Sequence, residues 1–91
     1  MIKVNNTYTT NEETWFDDIN TFLSNEEVKD LSKNGYIKYG ECVIPQGTKI
    51  KVVSITPGLV DQQVTLNIVG TLANFNYGNV EETMELFGME G

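Results

Sequence analysis

Residues 36–77 read YIKYGECVIPQGTKIKVVSITPGLVDQQVTLNIVGTLANFNY, and the fold class turns on this stretch. Within it Val64, Leu66 and Ile68 alternate with Thr65, Asn67 and Val69. A two-residue period is what a half-buried strand requires, because successive side chains point to opposite faces. The run from Lys49 to Ile55 begins in the same way, with Ile50 and Val52 on one side and Lys49 and Lys51 on the other. At Val53 the phase slips; a β-bulge or a strand covered on both faces accounts for the slip equally well. Pro45-Gln46-Gly47-Thr48 and Thr56-Pro57-Gly58 carry turn chemistry, since proline presets φ and glycine accepts positive φ. The pattern predicts strands at about 36–39, 41–45, 49–56, 62–69 and 71–77. Their short connections imply an antiparallel four- to five-stranded meander or a small bent barrel over about 36–77.

On the N-terminal side, Ile2, Val4, Asn6 and Tyr8 alternate weakly, which suggests a short edge strand within residues 1–8; Asn5-Asn6 reads equally well as a turn. Thr10 followed by Glu13 has capping-box spacing. Trp15, Phe16, Ile19, Phe22 and Leu23 then fall on one stripe of a helix, so an amphipathic helix is expected over about 11–23 with its aromatics in the core. Ser24 and Glu27 repeat the capping box, Val28 and Leu31 are the apolar anchors, and Asn34-Gly35 is a stop signal, giving a second helix at about 25–33. After the strands, Asn79 to Glu82 starts a third, short helix at about 80–87. Val80, Met84 and Phe87 form one of its faces, and Glu81, Glu82 and Glu85 another. The expected architecture is one α+β domain, with two N-terminal helices and one C-terminal helix packed on the sheet.

The chain has 91 residues and 40% hydrophobic content, enough for a modest core. No apolar run approaches the roughly 20 residues that span a bilayer, so no membrane association is expected. The polar Asn5-Asn6 soon after the start does not suit a signal peptide. The lone cysteine, Cys42, allows no internal disulfide and fits a reducing compartment, here the cytoplasm of a bacterial host cell. Its strand-like setting marks it as a packing residue.

All six basic residues are lysine; arginine and histidine are missing. The commonest general acid–base and the histidine-based triads are therefore missing too. Gly47-Thr48-Lys49 lacks the spacing of a phosphate-binding loop, and one cysteine without histidine gives no zinc pattern. Asp17-Asp18 and Glu81-Glu82 are adjacent pairs, which point about 100° apart on a helix and do not converge on a cation alone. The expectation is a non-enzymatic protein with no catalytic residue, no metal and no cofactor.

Charge is distributed unevenly. Residues 10–34 hold seven acids against two lysines, and residues 79–91 hold four acids and no lysine, whereas residues 35–78 hold two acids and three lysines. Solvated helix faces account for this pattern in ordinary terms. A sharper reading is an acidic surface presented to a basic host protein, with carboxylates standing where nucleic-acid phosphates would stand. Glu12, Glu13, Asp17, Asp18, Glu26, Glu27 and Asp30 are the candidate contact residues. Direct binding of nucleic acid is disfavoured by a net charge of −7. The small size, the acidity and an Asn- and Lys-rich, Arg-free composition resemble those of many small phage-encoded proteins. The leading expectation is therefore a phage or mobile-element protein that inhibits a host defence or nucleic-acid-handling protein. Two other classes stand beside it. One is a binder of a nucleotide-sized molecule, using Tyr36, Lys38, Tyr39, Lys49 and Lys51 on a glycine-rich rim. The other is a phage structural or assembly protein that forms a homo-oligomer through an exposed strand edge.

Overall fold

The computed structural model describes residues 2–16, 23–57 and 62–89. In chain order their elements are β1 (Thr7–Thr9), β2 (Thr14–Phe16), α1 (Asn25–Lys33), β3 (Ile37–Lys38), β4 (Glu41–Ile44), β5 (Lys49–Thr56), β6 (Gln63–Ile68), β7 (Asn74–Tyr77) and α2 (Val80–Leu86). The strands form two antiparallel sheets, a four-stranded one in the order β1-β5-β6-β7 and a three-stranded one in the order β2-β4-β3.

The two sheets meet at a corner made by two long segments. β1 pairs with β5 through Thr7 and Lys51, and β2 pairs with β4 through Thr14 and Ile44; paired residue numbers add to 58 in both ladders. One antiparallel register thus runs through both sheets, bent where residues 10–13 pass the turn at 45–48. Thr10 holds the bend. Its amide donates to Thr48 O and its carbonyl accepts from Gly47 N, both at 2.9 Å. Its hydroxyl donates to Pro45 O and accepts from the Thr48 amide, again at 2.9 Å. The side chain is buried, and a buried hydroxyl needs such partners to offset its lost hydration. Strands that change sheets through a bend are the usual way to build such corners.

This arrangement corrects the expected helix at 11–23. Thr14, Trp15 and Phe16 are extended and pair with Ile44, Val43 and Cys42. Thr10, expected as a helix cap, serves the corner. All three residues of β2 favour strands, and the free edge of β4 gives them a ladder, so long-range pairing overrides the helical spacing. Of the rest of the expected stripe, Ile19 and Phe22 lie outside the described residues, and Leu23 is buried in the core. Trp15, expected in the core, is 45% exposed. It stands beside its cross-strand neighbour Val43, on the sheet face opposite Phe16 and Cys42. The single meander is corrected as well: the β3–β4 hairpin belongs to the second sheet, and only β5-β6-β7 forms a meander.

The phase slip at Val53 is a β-bulge. The β5–β6 register shifts between Val52, which faces Leu66, and Ser54, which faces Thr65. Before it Ile50 and Val52 point inward; after it Ile55 takes the inward place, opposite Val64. The inner faces of both sheets supply the core, with Ile50, Val52, Val64, Leu66 and Ile68 from one and Cys42 and Ile44 from the other. Each fully buried aliphatic side chain contributes about 1.5–3 kcal/mol. Phe16 bridges the sheets, stacking on Phe75 at 4.9 Å and meeting Tyr77 edge-on at 5.6 Å.

Both helices begin and end on local chemistry. Ser24 and Glu27 form a complete capping box at α1. Asn79 caps α2 through its side chain, which accepts from the Glu82 amide at 2.9 Å. Both end in Schellman motifs: Gly35 N bonds to Ser32 O and Tyr36 N to Leu31 O after α1, and Gly88 N bonds to Glu85 O and Met89 N to Met84 O after α2. Gly35 and Gly88 have φ of +84° and +70°, which this motif requires and which other residues resist. Leu31 fixes α1 to the core. α2 is fixed by Thr83, Met84 and Leu86, and by Phe87 stacked on Tyr8 at 5.0 Å.

Candidate functional site

Of the seven acidic residues expected to form one surface, the five that are described stand in different settings. Glu13 accepts the Trp15 indole N–H at 2.7 Å. Glu27 accepts the Ser24 amide at 3.1 Å as part of the capping box. Asp30 is half-buried and accepts the Leu72 amide at 2.8 Å, tying α1 to the β6–β7 connection. Each of these three has an intramolecular role. Glu12 and Glu26 are exposed. Asp17 and Asp18 lie outside the described residues.

A second acidic group forms around Tyr77, on the inner face of β7. Burial raises the pKa of its hydroxyl, and the carboxylates of Glu12, Glu82 and Glu85 raise it further; a hydrogen bond with the Thr14 side chain works in the opposite direction. Three charges from two separate parts of the chain therefore act on one half-buried phenol. Two come from α2, whose cap at Asn79 aims Glu81, Glu82 and Glu85 at solvent while Met84 and Leu86 face inward. The third is carried by the connection from β1 to β2, which the Thr10 corner brings to the same end of the molecule.

Two shallow clefts flank α2. One, about 280 Å³, is lined by Gln63, Asn76, Gly78, Asn79 and Glu82. The other, about 200 Å³, is lined by Glu81, Met84, Glu85 and Met89. Among the described residues no three acidic or thiol side chains are grouped to hold a metal ion. Cys42 is fully buried, and burial raises its thiol pKa from 9.0 to about 11.

The five residues expected to rim a small-molecule site do not gather. Tyr36 is half-buried and packs against the core. Lys38 precedes the two-residue turn Tyr39-Gly40 of the β3–β4 hairpin, and Tyr39 is 94% exposed with φ of +53°. Positive φ at both turn residues is the type I′ geometry, in which an aromatic is unusual. Lys49 and Lys51 lie on the outer face of the other sheet, opposite Thr9 and Thr7. None of the five lines either cleft.

The acidic face of α2 was readable from the spacing of Glu81, Glu82 and Glu85, but its junction with Glu12 was not. Tyr77 packs with Phe16 on the inner face of β7. The carboxylates near its hydroxyl left no local sequence signal. Comparison with protein-family models, characterised proteins and solved structures finds nothing that matches this chain.

Proposed function

We propose that the chain is a small non-catalytic binding protein whose acidic end, Glu12 with Glu81, Glu82 and Glu85, docks on a basic protein surface. The partner class that fits is a nucleic-acid-handling protein, whose phosphate-binding groove accepts carboxylates in the same field. A phage-encoded inhibitor of such a host protein is the biological setting in which this chemistry is useful. One observation carries the reading: carboxylates from two distant sequence segments, Glu12 on one and Glu82 and Glu85 on the other, act together to raise the pKa of the half-buried Tyr77 hydroxyl. Like charges held together work against the fold, whereas an opposing basic surface turns the same field into attraction and faster encounter.

The test is capture of partners from a bacterial lysate on immobilised protein. The wild type is compared with a variant carrying Glu12, Glu81, Glu82 and Glu85 each changed to Gln. The expected result is a basic protein retained by the wild type at low salt, released as salt rises, and not retained by the variant. Equal retention by both proteins overturns the assignment.

A further inference from the structure

The four-stranded sheet has an outer face built without carboxylates. Across β1, β5, β6 and β7 there is no Asp or Glu, although the chain has 13 acids. Thr7, Thr9, Lys49, Lys51, Asn67 and Asn74 share this outer face, as the pairing register shows. Both lysines are exposed, and the core lies against the other face. α2 packs on that core side through Leu86 and Phe87, so its glutamates point away from the lysine-bearing face. Among the described residues, the two opposed sides therefore carry opposite charge character.

The spacings match as well. Lys49 and Lys51 are two residues apart on a strand, about 6.6 Å. Glu81 and Glu85 are four apart on a helix, about 6 Å along its axis. The geometry points to a second copy of this chain as the occupant of the sheet face, with its α2 laid along β5 so that each glutamate meets one lysine. Docking also removes the repulsion between Glu81 and Glu85, which are like charges one turn apart. The two patches differ and lie on opposite sides, so the contact is heterologous and propagates head to tail, as a ring or an open chain, in place of a two-fold dimer. The inference rests on the acidic end being a docking surface, and it names one basic surface that this end fits.

Sedimentation velocity across a concentration series tests it. The wild type is expected to sediment faster as concentration rises at low salt and to return to a monomer at high salt. Lys49→Glu with Lys51→Glu, and separately Glu81→Lys with Glu85→Lys, should each remain monomeric. Mixing the two charge-reversed proteins should restore association, because each then offers the patch the other needs. A wild type that is monomeric throughout, or association unaffected by either reversal, overturns the proposal. The lysine-reversed protein keeps its acidic end intact. Its capture of a basic partner therefore reports on the proposed function independently of self-association.

Discussion

Changing Thr10 to valine keeps the shape of the side chain and removes its hydroxyl. The Thr48 amide then keeps only its longer bond to Pro45 O, at 3.3 Å, and Pro45 O loses the Thr10 hydroxyl while it keeps the Thr48 hydroxyl at 2.6 Å. The loss of a hydrogen bond of this kind costs about 0.5–1.5 kcal/mol. Thr10→Val is therefore expected to lower the unfolding free energy by at least that amount, read as a lower urea midpoint, and Thr10→Ser by much less; equal losses would mean that packing, not bonding, holds the corner. Cys42 gives a second prediction, for alkaline pH. Its pKa is raised in the fold from 9.0 to about 11, so the folded chain keeps the proton longer than the unfolded chain. The associated stabilisation is complete below the unfolded value and is lost as pH rises through about 11. Its full size is on the order of 2 kcal/mol. Cys42→Ala loses packing at every pH, so the quantity to compare is the slope of stability between pH 9.0 and about 11, which should be shallower in the variant. Identical slopes would remove the thiol as the cause.

Tyr39 shows how an element can carry a residue that its own geometry disfavours. The β3–β4 turn needs positive φ at Tyr39, where asparagine fits and a bulky side chain is strained. With 94% of the tyrosine exposed, little packing is lost on replacement. Tyr39→Asn should therefore stabilise the protein by about 0.5–1 kcal/mol in thermal or urea unfolding. Loss of stability would show that the ring has an intramolecular role. The same hairpin marks the boundary of what the sequence makes legible. α1 and α2 were readable nearly to the residue because their caps, Ser24 and Asn79, and their stops, Gly35 and Gly88, act over three or four positions. β5 and β6 were readable from alternation, and the slip at Val53 marked an irregularity that the β5–β6 register resolves as a bulge. β2 was not readable, because its conformation is decided by the β4 edge nearly thirty residues away. Thr10 likewise has the composition of a helix cap and becomes a corner only once residues 45–48 are beside it. In the candidate site, the α2 glutamates were visible by helical spacing, whereas Glu12 joins them through a path that only the corner defines.

Across the molecule, charge is arranged against stability at one end. α2 has acids in its first turn, where the helix dipole welcomes them, but Glu85 lies near its C-terminal end, where no basic residue compensates. Glu85 also stands one turn from Glu81 and acts on the Tyr77 hydroxyl alongside Glu12 and Glu82. Removing this one charge relieves all three interactions. Glu85→Gln should raise stability at low salt by about 0.3–1 kcal/mol, and the gain should shrink as salt screens the field. Ultraviolet titration should also show the Tyr77 phenol ionising at lower pH than in the wild type, because one cause of its raised pKa is gone. A charge that serves only solubility would show no further effect. A charge kept for docking must weaken capture of a basic partner while it strengthens the fold, so the two measurements on Glu85→Gln should move in opposite directions. If the variant is more stable and captures as well as the wild type, Glu85 belongs to an ordinary solvated helix face.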